Sequence, residues 1–210
     1  MTRQPGRRPP ARPRRARTQQ APPRPGASSK ASPGPPAARA KETIRVGVSS
    51  CLLGQDVRHD GGNKRDDFVA GDLARRVTLV PVCPEVELGL GTPREPIRLQ
   101  GAGGTLRIVA PGSGGDHTEA MRRYAEERVS ELERLGLSGY VFKKDSPSCG
   151  VQRVPVWRGE TQARVGRGAF ASALMARMPH LPVVEESDLR DEAAREAFLE
   201  RVFAYRSPQR

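Results

Sequence analysis

Residues 44–51, Ile-Arg-Val-Gly-Val-Ser-Ser-Cys, place a short apolar run directly before a polar tip that ends in a cysteine. The same arrangement recurs at Val77–Val82 before Cys83, and at Ser138–Phe142 before the polar stretch that contains Cys149. Near-continuous apolar runs with helix-like segments between them are typical of parallel strands buried under helices. Because the carboxyl ends of such strands meet at one edge of the sheet, the sequence predicts that all three cysteines lie there.

The remaining segments complete an α/β pattern. Helical periodicity and end signals predict helices near residues 66–76, 117–135, 169–178 and 188–205, with a further strand at 182–185. Period-two alternation predicts one hairpin over 97–109 and a shorter one around Gly159. Asp116 is expected to cap the second helix, with Glu119 reaching back to it. We therefore predict an open, mostly parallel Rossmann-like sheet with helices on both faces.

Charge divides the chain into two parts. Of its 36 Lys and Arg residues, 11 precede Glu42, so residues 42–210 carry 25 cations against 24 acids. The same leading segment holds ten of the twenty prolines and no Val, Ile, Leu or aromatic residue. Such a segment buries too little apolar surface to offset the entropy of ordering it. We predict a disordered Pro/Arg-rich tail over residues 1–42 and a single α/β domain over residues 43–210.

Composition also indicates in which compartment of the cell the protein resides. No run approaches the roughly 18 to 20 consecutive apolar residues of a membrane span, and the basic tail lacks the apolar segment of a secretory signal. Three cysteines, an odd number, do not make a disulfide framework. We expect a cytoplasmic protein with no membrane association.

Cysteines brought together at a sheet edge suit a soft metal, but their spacing leaves the metal open. A structural zinc site commonly uses short Cys-x-x-Cys pairs, which this sequence lacks. Iron–sulfur clusters are held by thiolates, and three protein ligands on a four-iron cluster leave one iron open. Free cysteines also pack simply as small hydrophobic side chains.

Four motifs resemble the thiouracil desulfurase family, formerly a domain of unknown function. They are Val-Ser-Ser-Cys-Leu-Leu-Gly at 48–54, Val-Arg-His-Asp-Gly at 57–61, Val-Cys-Pro-Glu-Val-Glu-Leu-Gly-Leu-Gly at 82–91 and Lys-Asp-Ser-Pro-Ser-Cys-Gly at 144–150. The resemblance extends from about Ile44 to the C-terminus and excludes the tail.

This resemblance implies a [4Fe-4S] cluster held by Cys51, Cys83 and Cys149, with the fourth iron open to substrate. It implies that thiouracil binds this iron through its sulfur, that water adds to the polarised carbon, and that uracil leaves while the open iron retains the sulfide. No net electron transfer is required. The acid/base carboxylate of the family matches Glu87, and its catalytic hydroxyl matches Ser146.

Other polar residues of these motifs have both a functional and an ordinary interpretation. Asp60 and Ser148 are candidate substrate-binding residues, although both residue types are also common in turns. Glu85 and Glu87 could merely favour the start of a short helix. Lys143 and its neighbour Lys144 are expected to be solvated.

Three alternatives to thiouracil desulfuration remain open. The first is desulfuration of thiouridine in tRNA, which would use the basic tail for weak nucleic-acid contact. The second is a non-catalytic iron–sulfur redox sensor, which would need the cluster but not Glu87. The third is an α/β domain with three buried thiols and no metal.

Overall fold

The computed structural model describes residues 43–102 and 104–205, over which eight strands alternate with helices. The strands are β1 (Arg45–Ser49), β2 (Thr78–Val82), β3 (Arg98–Ala102), β4 (Thr105–Val109), β5 (Leu137–Phe142), β6 (Val154–Arg158), β7 (Thr161–Gly166) and β8 (Val183–Glu185). The α-helices are α1 (Ala74–Arg76), α2 (Pro84–Glu87), α3 (Thr118–Leu135), α4 (Ala169–Arg177) and α5 (Glu192–Ala204). A π-helical turn, Phe68–Leu73, leads into α1, and 3₁₀ turns span Ser50–Leu53 and Glu186–Asp188.

Four parallel strands form the central sheet in the order β2-β1-β5-β8. In this register Gly47 of β1 lies opposite Val80 of β2 and Tyr140 of β5. All six residues of β5 are buried, as expected for a strand with neighbours on both sides and helices on both faces. The predicted parallel α/β sheet is confirmed.

Both predicted hairpins are present, but they join into a second sheet that the sequence did not indicate. The hairpins β3–β4 and β6–β7 meet through parallel pairing of β3 with β6, giving the order β4-β3-β6-β7. An isolated two-stranded hairpin is marginally stable in water. Joining the two hairpins lets Leu99, Ile108 and Val156 pack together with Met121 of α3 in a separate apolar cluster.

Helices cover both faces of the central sheet, as predicted. On one face, α3 and α4 bury an apolar cluster that includes Leu132, Tyr140 and Phe170. On the other face, the π-helical turn and α5 pack against Val46 and Val48 of β1. Both faces of the sheet are therefore closed to water, and its ends remain for polar loops.

The predicted capping box at the start of α3 is wrong. His117 occupies the cap position, and Asp116, one residue earlier, accepts hydrogen bonds from the Thr118 N–H and hydroxyl. Glu119 pairs with Arg122 one turn later instead of reaching back. The guanidinium of Arg107 on β4 also binds Asp116, so this carboxylate ties the end of the hairpin to the start of α3.

The predicted tail, residues 1–42, lies outside the described residues, so its disorder stays a prediction. Among the helices of residues 43–102 and 104–205, none combines the length and apolarity needed to cross a bilayer.

Gly47 allows the ring of Tyr140 to lie against β1. A Cβ at this position would be 2.3 Å from Tyr140 Cδ2, and both residues are buried in the sheet. We expect Gly47→Ala to lower the free energy of unfolding by about 1–3 kcal/mol, because overpacking forces the ring or strand to shift. Urea denaturation of the iron-free protein measures this change.

The matched control is Gly71→Ala in the π-helical turn, where the nearest atom to the added Cβ is Arg75 Nη1 at 3.8 Å. This variant should gain about 0.5–1 kcal/mol, since alanine loses less backbone entropy on folding than glycine. Equal stability of the two variants would contradict the close packing described for Gly47.

Candidate active site

A cavity of about 740 Å³ lies at the carboxyl ends of the central strands, and all three cysteines line it. The loops after β1, β2, β5 and β8 each contribute to its wall, as parallel pairing requires. The residues that line it from the loops after β1 and β2 are Ser49, Ser50, Cys51, Val57, Arg58, His59, Lys64, Arg65, Asp66, Val82, Cys83, Pro84, Glu85, Arg94, Pro96 and Ile97. Those from the loops after β5 and β8 are Lys143, Lys144, Asp145, Ser146, Pro147, Cys149 and Glu186. The predicted convergence of the cysteines is observed.

Backbone hydrogen bonds fix the first two cysteines at their strand ends. Cys51 lies in the 3₁₀ turn after β1, and its carbonyl accepts from the N–H of Lys64, which closes the following loop. Cys83 precedes Pro84, the first residue of α2, and its Sγ lies 3.8 Å from the carbonyl oxygen of Val57. The loops that carry these two thiols therefore touch each other.

The third cysteine is held by the start of α4. The N–H groups of Ala169 and Phe170 donate to the carbonyls of Pro147 and Ser148, at 3.0 Å each. This contact requires glycine at position 168, because a Cβ there would lie 2.5 Å from the Ser148 carbonyl group. The first turn of α4 thus fixes the backbone just before Cys149.

Burial makes all three thiols poor acids in the metal-free protein. Desolvation raises the pKa of Cys51 to about 11, although Lys143 and Arg58 act in the opposite direction. Desolvation also raises the pKa values of Cys83 and Cys149 above their ordinary value. A hydrogen bond with the Ser49 side chain lowers the pKa of Cys149, whereas Glu85, Cys51 and Cys83 raise it further.

Glu85 connects the three cysteine loops. Its Oε2 accepts from Arg94 Nη2 at 2.6 Å and its Oε1 accepts from the Ser148 hydroxyl at 3.0 Å. Arg94 also donates to the carbonyl of Val57, which belongs to the loop after Cys51. The Glu85 and Arg94 side chains are 13% and 7% exposed, so this is a nearly buried ion pair that borders the cavity.

Glu87 faces a different environment, behind Cys83. Its Oε1 accepts from the Cys83 N–H at 3.0 Å. Its Oε2 lies 2.8 Å from the Tyr124 hydroxyl and 3.0 Å from Arg128 Nε, both on α3. The carboxylate therefore anchors the Cys83 loop to α3, and its catalytic role stays a prediction.

Ser146 lines the cavity in a conformation suited to proton donation. Its hydroxyl oxygen accepts from the N–H groups of Ser148 and Cys149, at 3.2 and 3.1 Å. A hydroxyl has one donor and two acceptor positions. Both acceptor positions of Ser146 are occupied, and its hydroxyl can still donate one hydrogen bond.

The two predicted substrate-binding residues, Ser148 and Asp60, are not among the residues that line the cavity. Ser148 is fully buried and donates its hydroxyl proton to Glu85. Asp60 is exposed, where bonds from Arg58 and from the N–H of Gly62 lower the pKa of its carboxyl group. Both residues hold loops in this conformation, and their contact with substrate stays a prediction.

The expectation that Lys143 is solvated is wrong. Its side chain is 15% exposed, lines the cavity and forms an ion pair with Glu186, which follows β8. Glu186 Oε2 also accepts from the Lys144 N–H at 2.8 Å. Sequence reasoning missed the roles of Lys143, Glu186 and Arg94. Lys143 and Glu186 lie 43 residues apart in the chain, and Arg94 lies outside the quoted motifs. Glu85 lies in the motif at 82–91, two residues after Cys83, but the family resemblance assigned the acid/base role to Glu87 of the same motif.

The donor set fits an iron–sulfur cluster better than a single ion. Within residues 43–102 and 104–205, no three His, Cys, Asp or Glu side chains converge closely enough to hold one metal ion. A zinc ion binds thiolates at about 2.3 Å and would draw the sulfurs close together. A four-iron cluster uses a separate iron for each cysteine, which matches three thiols spaced around a cavity.

Comparisons with known proteins agree with this arrangement. A family model described as 2-thiouracil desulfurase matches residues 46–186, about two thirds of the chain. The chain is similar to the solved structure of the [4Fe-4S]-dependent thiouracil desulfidase TudS, with 34% identity, a TM-score of 0.57, and coverage of 75% of this chain and 99% of that chain. It is also 29% identical over 150 residues to the uncharacterized protein YbbK of Bacillus subtilis (strain 168), which covers 69% of this chain and 97% of the relative.

The raised pKa of Cys51 predicts slow alkylation of the iron-free protein. Only the thiolate reacts, and its fraction rises about tenfold per pH unit below the pKa. With a pKa of about 11, the iodoacetamide rate at Cys51 should still increase log-linearly at pH 10. In the urea-unfolded chain, the rate should level off near pH 9. Mass spectrometry of the Cys51 peptide measures both rates, and a native plateau below pH 9 would contradict the burial of this thiol.

Proposed function

Because this chain belongs to the 2-thiouracil desulfurase family, we propose that it converts thiouracil to uracil in a cluster-dependent reaction without net electron transfer. The observation that carries the proposal is the convergence of Cys51, Cys83 and Cys149 on one cavity. The cluster dependence named for the similar solved enzyme supports the same cofactor here.

We assign Cys51, Cys83 and Cys149 as the ligands of a [4Fe-4S] cluster. When bound, the cluster supplies a Lewis-acidic iron for the thiocarbonyl sulfur and an open site that accepts the sulfide. The ligands must be thiolates, so the thiol protons leave as the cluster assembles. Lys143 and Arg58 favour the thiolate of Cys51.

The reaction is a hydrolysis at carbon. Water adds to the thiocarbonyl carbon, a carbon–oxygen bond forms, and the carbon–sulfur bond breaks. The overall balance is thiouracil plus water giving uracil plus hydrogen sulfide, with the oxidation state of carbon unchanged. The protein must therefore remove a proton from water and deliver protons to the ring nitrogen or to sulfur.

Two residues on the cavity wall fit these proton transfers. Ser146 has its acceptor positions occupied by backbone N–H groups, so its hydroxyl can donate to a ring nitrogen. Glu85 presents a carboxylate that Arg94 and Ser148 orient, which suits a base for the attacking water. Glu87, favoured by the sequence, is the alternative base, and the structure supports a role for it in holding Cys83.

The cofactor assignment is tested by measuring iron and acid-labile sulfide per chain after anaerobic reconstitution. Turnover of 2-thiouracil is then measured in the same sample. We expect about four irons per chain together with sulfide release. Replacement of Cys83 by serine should abolish both. A full cluster without turnover would overturn the substrate assignment and favour either thiolated tRNA as substrate or the redox sensor. Failure to bind iron would leave an α/β domain with three buried thiols.

Glu85→Gln and Glu87→Gln form a matched pair that separates the two candidate bases. We expect Glu85→Gln to keep its iron and lose about 10²- to 10⁴-fold in kcat, the usual contribution of a general acid or base. Glu87→Gln keeps an acceptor for the Cys83 N–H and should retain turnover. The opposite pattern, with full iron in both variants, would assign the base to Glu87.

The basic tail favours a second candidate substrate, thiouridine in tRNA. Its 11 cations and absence of acids before Glu42 suit contact with phosphates, independent of sequence. Removal of residues 1–42 should leave thiouracil turnover unchanged and reduce both the rate on thiolated tRNA and its dependence on salt concentration. Unchanged rates on both substrates would show that the tail does not select the substrate.

A further inference from the structure

Tyr140 is a fully buried tyrosine whose hydroxyl has no hydrogen-bond partner among the described residues. Its ring lies in the middle of β5, stacked on Phe142 with centroids 4.0 Å apart and 5.9 Å from the ring of Phe170. The close approach to Gly47 described above prevents the ring from moving toward β1.

An unpartnered hydroxyl at this depth requires an explanation. Burying a hydroxyl without a hydrogen bond costs about 1–3 kcal/mol, and phenylalanine would fill the same space without that cost. Phe142 and Phe170 show that this cluster accommodates phenylalanine. The nearby Tyr124, by contrast, donates to Glu87 at 2.8 Å.

No group among the described residues accepts from the Tyr140 hydroxyl, so a candidate acceptor is one whose hydrogen-bonding capacity changes when a cofactor binds. Burial raises the pKa of the Tyr140 hydroxyl most, and the titratable groups that also shift this pKa are Cys149, Tyr124, Glu87 and Arg128. Arg128 has no acceptor, and the two oxygens of Glu87 already face the Cys83 N–H on one side and the Tyr124 and Arg128 side chains on the other. The Tyr124 hydroxyl oxygen can accept but is not bonded to Tyr140, and its acceptor strength does not change when a cofactor binds. Cys149 packs in the same apolar cluster as Tyr140, and its sulfur becomes a much better acceptor as a thiolate.

We propose that the Tyr140 hydroxyl donates a hydrogen bond to the sulfur of Cys149 when that sulfur is a thiolate ligand of the cluster. The inference rests on the proposed function, because a neutral thiol is only a weak acceptor. Tyr140 is not among the residues that line the cavity, so it is a positioning residue that acts through the ligand. A hydrogen bond to a ligand sulfur withdraws electron density from it, which favours the reduced state of the cluster and fixes the ligand.

Tyr140→Phe tests this proposal because it removes only the oxygen atom. In the reconstituted protein we expect a more negative midpoint potential of the cluster and about 10- to 100-fold faster loss of iron to a chelator, the usual cost of losing such a contact. In the iron-free protein, the melting temperature should stay the same or rise, because a desolvated hydroxyl without a partner has been removed.

Tyr205→Phe is the matched control. Tyr205 follows α5 at the edge of the same apolar cluster, far from the cavity lining, and its substitution should change neither potential nor iron loss. A wild-type potential and iron-loss rate in Tyr140→Phe would overturn the proposal. A drop in its iron-free melting temperature would also overturn it, since the hydroxyl would then have a structural partner such as a buried water.

Failure of the proposed function gives a different result. If wild-type protein assembles no cluster under anaerobic reconstitution, the ligand assignment fails for every variant alike. If the wild type assembles the cluster and Tyr140→Phe has the same midpoint potential and iron-loss rate as the wild type, the proposed function stands and the role of Tyr140 is refuted.

Discussion

Parallel pairing of β1 with both β2 and β5 is the constraint on which the site depends. Parallel strands end at the same edge of a sheet, so residues just beyond their last positions become neighbours whatever their separation in the chain. Cys83 directly follows β2, Cys51 lies two residues after the end of β1, and Cys149 lies on the loop after β5 that returns to the same cavity. Helices on both faces bury the strands and leave this edge as the place where polar chemistry is accessible.

Buried ion pairs then fix the loops that the strands bring together. The Lys143–Glu186 pair joins the segments that follow β5 and β8. The Arg94–Glu85 pair lies within the segment that follows β2, and its side chains bind Val57 after β1 and Ser148 after β5. Such pairs contribute little net stability, because desolvation offsets their attraction, but removing one partner leaves an uncompensated charge. In this protein they favour one arrangement of the loops over others. That specificity suits a site whose ligands must be in place before the cofactor binds.

Sequence reasoning was most successful where a signal is local. The run before Cys51 and the matching runs before the other cysteines predicted the strands, and the order of elements predicted the parallel sheet. The pairing of β3 with β6 has no local signal, because it joins two hairpins about fifty residues apart. The environment of Lys143 depends in the same way on Glu186, 43 residues later in the chain. The environment of Glu85 depends on Arg94, which lies outside the motif that contains Glu85. A motif can thus identify a pair of glutamates, but the surrounding fold decides which carboxylate reaches the cavity.

The second sheet gives the site a wall that is independent of its ligands. Pro96 and Ile97, which lead into β3, line the cavity, and Arg164 of β7 pairs with Asp145 on the loop before Cys149. The cysteines themselves follow strands of the central sheet. Sequence changes in the hairpins can therefore alter the size and polarity of the cavity while the edge that carries the three cysteines stays intact. This separation offers a route by which related proteins could diverge in substrate range from one shared catalytic centre.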